Sequence, residues 1–417
     1  MHMFNKKTII STQNNMEFLT YFLCFITLVI AVFDNNLSLK LFNITAALAI
    51  LTLIIKRQTL HFELKTVLLP VAIITIGIIN LGWYSIFKQN DIVFRSTYHS
   101  YLNIAKVFIL GSFILLLALS SKLELKKVFF LYLIATLTLI VAAISIYKKI
   151  VLNIPRLDLG IGSATGAAYT ITIIGLISGY SILQTAGKLR LVLYLSNFII
   201  IFLCLLFTET RAAILVYPVL MAITIFISYR KNIKHIIYFT SSIILLAIFC
   251  GAIFNETITA RYNAAMNDIA QYKAKNSVTS VGARFAMYST GWDTFLDKPL
   301  TGHSVEARAK HIRSLATKDH SLNGALPFLN VHMHNEIIEA ASLKGILGII
   351  STLFLYATLL FTSCQYKNIG LLSLAIALIG YGLSDVLLWS RSIPLIFILA
   401  ITIVLVIHRK TLRPEKN

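Results

Sequence analysis

The chain has 417 residues, of which 57% are hydrophobic and only 13% are charged, with a formal net charge of +20. Soluble proteins carry about twice that charged fraction, and the apolar residues here form long runs, so the composition excludes an ordinary soluble protein and indicates a polytopic membrane protein. The positive charge is interpreted as membrane topology rather than nucleic-acid binding, because Lys and Arg stay on the cytoplasmic side of membrane proteins.

About twelve apolar runs, each near the length that crosses a hydrocarbon core, are predicted to be transmembrane helices. Their approximate limits are 17–33, 39–55, 66–86, 101–120, 128–146, 167–185, 191–207, 212–229, 235–254, 336–362, 369–388 and 393–407. The first run lacks a small-residue cleavage site and is expected to be an uncleaved span. The predicted fold is therefore an all-α membrane protein.

Basic residues recur in alternate connections between these spans. They are Lys6, Lys7, Lys56, Arg57, Lys122, Lys126, Lys127, Lys188, Arg190, Arg230, Lys231, Lys234, Lys367, Arg409, Lys410, Arg413 and Lys416. All of them fall on one side if both termini are cytoplasmic, as the positive-inside rule requires. The sequence thus predicts an even number of spans and a multi-pass protein with cytoplasmic termini.

One connection, between spans nine and ten, is far longer than an ordinary loop. Its stretches "ITARYNAAMNDIAQYKAK" and "ARFAMYSTGWDTFLD" have helical spacing, and the second ends before Pro299. We predict a helical cap on the outer face. The chain would then divide into spans one to nine (1–254), the outer loop (255–335) and spans ten to twelve with a cytoplasmic tail (336–417).

Cations on the outer side run against the topology bias and need another reason. They are Arg95, Lys148, Lys149, Arg156, Arg211, Arg261, Arg284, Arg308, Arg313 and Arg391. Solvated or snorkelling side chains are the simplest explanation for most of them. Arg95 also belongs to "FRSTYHSYLN", which places Tyr98, His99 and Tyr101 on the same face and offers a candidate substrate surface.

Two of these arginines are the strongest functional candidates. Arg211, in "FTETRAAILVYP", stands between two apolar runs, where an unpaired cation is costly; an ion pair with Glu209 is the alternative. Arg284, in "NSVTSVGARFAMY", falls in the first turn of a predicted helix, where free N–H groups favour an anion. Its guanidinium fork suits phosphate, although a solvated Arg is also compatible with the pattern.

The stretch "HMHNEIIEAASLKGILGII" leads into the predicted tenth span, and its first residues are unusually polar for such a position. On a helix starting near His334, Ala341, Gly345 and Gly348 share its face, and small residues at that spacing favour close approach of another helix. His334 is then a candidate general base at the outer mouth. An interfacial hydrogen-bonding role is the competing interpretation.

Other polar residues near the outer mouth are further candidates. Asn335 and Glu339, which form a polar stripe with Ser342, are candidates for binding substrate or orienting His334. A metal site could use His332 and His334, which share a side if the chain there is extended and point apart on a helix, but it is not favoured because no third ligand stands at a firm spacing. Asp385, in "YGLSDVLLWSRS", is a candidate contact for substrate or for an arginine, and Arg391 in the same stretch is a further candidate for binding substrate.

These residues together resemble an O-antigen ligase of Gram-negative bacteria, within the superfamily that also holds O-antigen polymerases and protein O-oligosaccharyltransferases. That family's motif is His followed by Asn, Ser or Gln, nine residues, and GxxG. His334 and Asn335, nine residues, and Gly345 to Gly348 match it, while Ile349 and Ile350 replace the frequent Thr-Thr. "TETRAA" and "GARFAMY" match the family's two outer arginines, which assigns Arg211 and Arg284 with His334 as catalytic.

The resemblance implies a reaction and a membrane. The donor would be O-polysaccharide on undecaprenyl diphosphate, the acceptor a sugar hydroxyl of lipid A–core, and the site periplasmic, in the bacterial inner membrane. Transfer would invert the anomeric carbon and need no cofactor, neither ATP nor metal, on a fold of the GT-C glycosyltransferase class. Membrane lipids would be partners, and nucleic acid would not. Rival interpretations are an O-antigen polymerase, a protein O-oligosaccharyltransferase and a polysaccharide transporter, which usually binds near the midplane.

Overall fold

The computed structural model describes residues 2–58, 60, 62–89, 91–121, 123, 127–185, 187–253, 255–389 and 392–408. Within these ranges the chain is helical and contains no strand. Several residues named above lie outside the described residues: Arg391, Lys122, Lys126, Arg409, Lys410, Arg413 and Lys416.

Twelve apolar helices in the described part of the chain correspond to the predicted spans, so the polytopic all-α fold is confirmed. Nine are long enough to cross a membrane, and three are shorter. They are α1 (His2–Ala31), α2 (Asn35–Ile55), α3 (Leu64–Phe87), α4 (Arg95–Ser120), α5 (Lys127–Ile146), α6 (Ala164–Leu183), α7 (Arg190–Thr208), α8 (Arg211–Tyr229), α9 (Ile233–Ile253), α13 (Glu336–Gln365), α14 (Ile369–Gly382) and α15 (Ser392–His408). The span predicted at 369–388 ends earlier, because residues after Gly382 turn away from the helix.

The long connection is helical, as its sequence predicts. It contains α10 (Asn255–Lys273), α11 (Ser280–Asp297), α12 (Val305–Lys318) and a 3₁₀ segment (His320–Phe328). Side chains cap two of these helices: Thr279 accepts a hydrogen bond from Gly282 N, and Ser304 accepts one from Ala307 N. The side of the membrane on which this connection lies stays a prediction.

Helices α6 and α15 form the centre of the bundle. Every residue of the hydrophobic stretch of α6 is buried, and it packs against α5, α7, α8, α14 and α15. A helix that is apolar on all sides is stable when neighbours surround it. The outer helices instead leave large apolar side chains such as Ile54, Ile78 and Leu215 exposed, as a lipid-facing surface requires.

Helix α13 is broken at Gly345, where the backbone adopts φ +61° and ψ −148°. This conformation is essentially restricted to glycine. The chain before α12 fills the break: Ile346 N donates to Pro299 O at 2.7 Å, and His303 N donates to Leu343 O at 3.1 Å. The backbone groups that the break frees are therefore paired again, as burial requires.

The two motif glycines serve this break rather than a contact between spans. A Cβ on Gly345 would lie 2.5 Å from Pro299 O, and one on Gly348 would lie 2.3 Å from Ala340 O, across the break in the same helix. The prediction that these glycines admit a neighbouring helix is therefore wrong. The spacing of Gly345 and Gly348 is compatible with a contact between helices and with a break in one helix, because both require residues without a side chain.

The predicted start of the tenth span at residue 336 agrees with α13, but the prediction that His334 lies on this helix is wrong. Asn335 is the N-cap: its Oδ1 accepts hydrogen bonds from Ile337 N and Ile338 N, and the helix begins at Glu336. His334 precedes the cap, with φ +48°. Residues 332–335 therefore form a tight turn, and helical geometry does not apply to the two histidines.

Candidate active site

The side chain of His334 meets Asp385 at the end of the bundle where α6 and α8 begin and α14 ends. His334 Nδ1 lies 3.3 Å from Asp385 Oδ1, and the two side chains are 23% and 15% exposed. The left-handed backbone of His334 makes this contact possible, and Tyr288 of α11 holds the turn by donating to His334 O at 2.9 Å. An imidazole that donates from Nδ1 to a carboxylate leaves Nε2 free to accept a proton.

Asp385 is held as an anion by its neighbours. Tyr169 of α6 donates to Oδ2 at 2.9 Å, and Val386 N donates to Oδ1 at 2.9 Å. Burial opposes ionisation, but the hydrogen bond with His334 and the nearby His332 lower the pKa of Asp385 to about 2. Asp385 therefore contacts two histidines and a tyrosine, and in the described chain its predicted arginine pairing is absent.

His332 is a direct partner of His334. The ring centroids are 4.4 Å apart, and the backbone N–H of His334 donates to His332 Nδ1 at 3.2 Å. Residues 332–335 are not helical, so the expectation for a helix, in which the two side chains point apart, does not apply and the two rings lie together. Burial lowers the pKa of His332 and so favours its neutral ring. The ring hydrogen is then on Nε2, which lies 3.5 Å from Asp385 Oδ1.

These three side chains also have the composition of a metal site. One ligand atom from each of His332, His334 and Asp385 lies within 4.8 Å of the others, so the third candidate ligand that the sequence did not reveal is Asp385. A metal on His332 Nε2 would require the ring hydrogen on Nδ1, where it would oppose the N–H of His334. The hydrogen-bonding pattern therefore fits a carboxylate–histidine pair better than a metal centre.

Arg284 shares a pocket with His334. The pocket has a volume of about 550 Å³ between α11 and the 3₁₀ segment, and Thr279, Ser280 and Phe328 contribute to its walls. Arg284 is exposed and makes no salt bridge with the described residues. It lies in the second turn of α11, because the helix begins at Ser280, so the prediction that it lies in the first turn beside free N–H groups is wrong. Burial raises the pKa of Tyr288, and the charge of Arg284 opposes this shift. A free guanidinium thus faces the space beside His334.

Arg211 is the first residue of α8 and is exposed. Its expected alternative partner Glu209 lies 3.8 Å from Lys149 instead, and Arg211 has no salt bridge to the described residues. Helices α8 and α14 run antiparallel, since Thr224 bonds Ser373 and the backbone of Gly380 faces Val216. That register places Arg211 at the end of the bundle where α14 ends.

Asn335 and Glu339 have their polar atoms engaged by the protein. Asn335 caps α13 and donates from Nδ2 to Leu383 O at 3.1 Å. Glu339 is 1% exposed and pairs with Arg308 at 2.8 Å. Asp385, rather than either of these two residues, contacts the imidazole of His334.

The α4 candidates divide between surface and interior. Arg95 is the first residue of the helix and is exposed. Tyr98 is 1% exposed, donates to Glu306 Oε2 at 2.6 Å and accepts from Val305 N, so it fastens α12 to α4. A substrate contact by Tyr98 would require these bonds to open.

Sequence reasoning did not assign His332 and Arg308 to the site. The repeated "HMH" is a signal for His332, but extending the helical pattern of α13 to these residues hides that they lie on a turn. Arg308 is fully buried, whereas the sequence placed it among solvated outer-face cations. No local pattern distinguishes a buried Arg whose partner lies 31 residues away on α13.

Comparisons with known proteins identify the family of this chain. A family model described as O-antigen ligase matches residues 196–353. A protein named O-antigen ligase from Escherichia coli K12 is 44% identical over 398 residues, covering 95% of this chain and 94% of the relative. An uncharacterized protein of Haemophilus influenzae Rd is 27% identical over 270 residues, or 61% and 65% of the two chains. Given such identity over nearly the full length of a named ligase, this chain belongs to the O-antigen ligase family of glycosyltransferase-type enzymes.

Proposed function

We propose that the chain transfers O-polysaccharide from undecaprenyl diphosphate to a sugar hydroxyl of lipid A–core, at the periplasmic face of the bacterial inner membrane. The observation that carries the proposal is the contact between His334 and Asp385 beside a pocket that also presents Arg284. A base and a free cation on one cavity are what a diphosphate-leaving glycosyl transfer needs. The GT-C class of membrane glycosyltransferases is the fold type that suits it.

In this mechanism His334 is the general base. Its Nε2 removes the proton of the acceptor hydroxyl while the hydroxyl oxygen bonds to the anomeric carbon. The bond from that carbon to the phosphate oxygen breaks, and undecaprenyl diphosphate leaves with the electron pair. Attack opposite the leaving group inverts the anomeric carbon. Asp385 stabilises the imidazolium that forms, which is the task of the carboxylate in such pairs.

Arg284 and Arg211 stabilise the leaving diphosphate. Negative charge increases on its oxygens as the glycosidic bond breaks, and a preorganised donor at such a position contributes about 3–4 kcal/mol. Both arginines are exposed and without a salt bridge to described residues, so neither must first give up an acidic partner. With two cations and a base in place, the mechanism needs neither ATP nor a divalent metal.

The test measures transfer by the purified protein in detergent from undecaprenyl-diphosphate-linked O-polysaccharide to lipid A–core. His334→Ala, Arg284→Ala and Arg211→Ala are each expected to lower the transfer rate by at least about 100-fold and leave a measurable residual rate, while the exposed controls His320→Ala and Arg313→Ala retain the full rate. Full transfer by His334→Ala would refute the base assignment. In cells, loss of the chain is expected to leave bare core; a core capped with one repeat unit would indicate a polymerase instead.

A further inference from the structure

Arg308 is a fully buried cation in a protein whose other outer-face candidates are mostly exposed. Its Nη1 lies 2.8 Å from Glu339 Oε2 and 3.3 Å from Ser342 Oγ, and its Nη2 donates to Val331 O at 3.4 Å. Burying a cation is costly unless an acid and further hydrogen bonds compensate. Such a pair is retained at a site where geometry has to be specified.

Glu339 extends the same contact to two more parts of the chain. Its Oε2 accepts the backbone N–H of Met333 at 2.9 Å, and its Oε1 accepts the hydroxyl of Tyr101 at 2.7 Å. The ion pair thus holds Val331 O on one side of His332 and Met333 N on the other. It also joins α12 and α4 to the first turns of α13.

The turn that is held in this way carries the proposed base. His334 has φ +48°, a left-handed conformation that is strained for a residue with a side chain. Strained backbone of this kind persists only where its surroundings over-determine it. Glu336 holds the partner of His334 in place. Its Oε2 accepts a hydrogen bond from Leu388 N at 2.9 Å and so fixes the loop that carries Asp385.

We propose that Arg308 and Glu339 are positioning residues for His334, which hold residues 331–333 so that its imidazole stays on Asp385. The inference rests on the proposed function, in which His334 is the base. Neither residue touches substrate; both act through the backbone of the turn. A displacement of about 1 Å at a reacting group costs about 100-fold in rate. Loosening this pair should therefore lower kcat by 10- to 100-fold with little change in KM for either substrate.

The experiment is a double-mutant cycle on the purified, full-length protein, with the transfer assay above. Glu339→Gln keeps the shape of the side chain and removes its charge, and Arg308→Met combined with Glu339→Gln removes both charges. Removing the whole pair avoids an uncompensated buried ion, so this variant keeps the proposal testable if the single change fails to fold. Glu17→Gln is the matched control, because Glu17 forms a buried ion pair with Lys56 at the opposite end of the bundle.

We expect each Glu339 variant to lose kcat in the wild-type background but to change the residual rate of His334→Ala less than twofold. Non-additivity of this kind marks residues that act as a unit. An equal loss in both backgrounds would assign the pair a structural role only and overturn the proposal. Full kcat in the charge-free double variant would also overturn it. If His334→Ala itself keeps full activity, the assignment of His334 as the base is refuted. Failure of the proposed function is thereby distinguished from failure of the positioning proposal.

Discussion

Asp385→Asn is the sharpest test of the proposed base. The change is nearly isosteric, so Tyr169 and Val386 can keep contacts with the side chain. It removes the negative charge that faces His334 Nδ1 at 3.3 Å. It also introduces an amide that can donate a hydrogen to Nδ1 and so favour the tautomer in which Nε2 carries the proton and cannot accept one.

The size of the effect follows from the distance. At an effective dielectric constant of about 20, two unit charges 3.3 Å apart interact by about 5 kcal/mol. The partial exposure of both side chains admits solvent, and the amide retains part of the hydrogen bond, so about 3–4 kcal/mol is the expected loss. Since each 1.36 kcal/mol is tenfold in rate, kcat should fall about 200- to 1,000-fold.

The measurement is kcat and KM for transfer by purified Asp385→Asn protein, with the exposed Asp293→Asn protein as control. We expect KM for the donor to change little, because Asp385 acts on the base rather than on the diphosphate. A rate within threefold of the unmodified protein would refute the carboxylate–histidine mechanism. A loss confined to KM would instead assign Asp385 to substrate binding.

Three further predictions follow from the same structure. Gly345→Ala should reduce the yield of folded protein and its thermal midpoint by fluorescence, because the backbone conformation excludes a side chain and the new Cβ would clash with Pro299 O; normal melting would contradict this account of the break. Extensive dialysis against EDTA should leave the transfer rate unchanged, and restoration of a lost rate by Zn²⁺ would instead make His332, His334 and Asp385 a metal centre. Asp385 has a pKa lowered to about 2 from 3.8, so its charge stabilises the folded state above about pH 4, by about 2 kcal/mol, and this stabilisation is lost as the pH falls toward 2. The difference in thermal midpoint between the unmodified and Asp385→Asn proteins should therefore shrink over that range, and a constant difference would contradict it.

The spans were predictable because each long apolar run has one stable arrangement in a bilayer, a helix whose backbone groups are internally bonded. The break in α13 was not predictable from the sequence. Gly345 and Gly348 have the spacing of a helix-packing motif, and periodicity does not reveal that residues 299–303 enter the helix. Two structures that both require the absence of a side chain give the same local sequence.

The site was predictable where a short motif carries it and not where it depends on distant contacts. His334, Arg284 and Arg211 stand in recognisable local sequences. The partnership of His334 with Asp385 joins residues far apart in the chain, and it depends on a left-handed turn that extending the helical pattern hides. Arg308 looked like a solvated cation because its partners lie on other elements.

The position of His334 explains why a carboxylate is needed beside it. His334 precedes the N-terminus of α13, where the helix dipole disfavours a cation. A base there would become an imidazolium against that field during transfer. The negative charge of Asp385, whose Oδ1 lies 3.3 Å from His334 Nδ1, opposes this field. The buried side chains of Glu336 and Glu339 lie in the first turn of the same helix. In the proposed mechanism, Asp385 therefore makes this helix end tolerable for the protonated base.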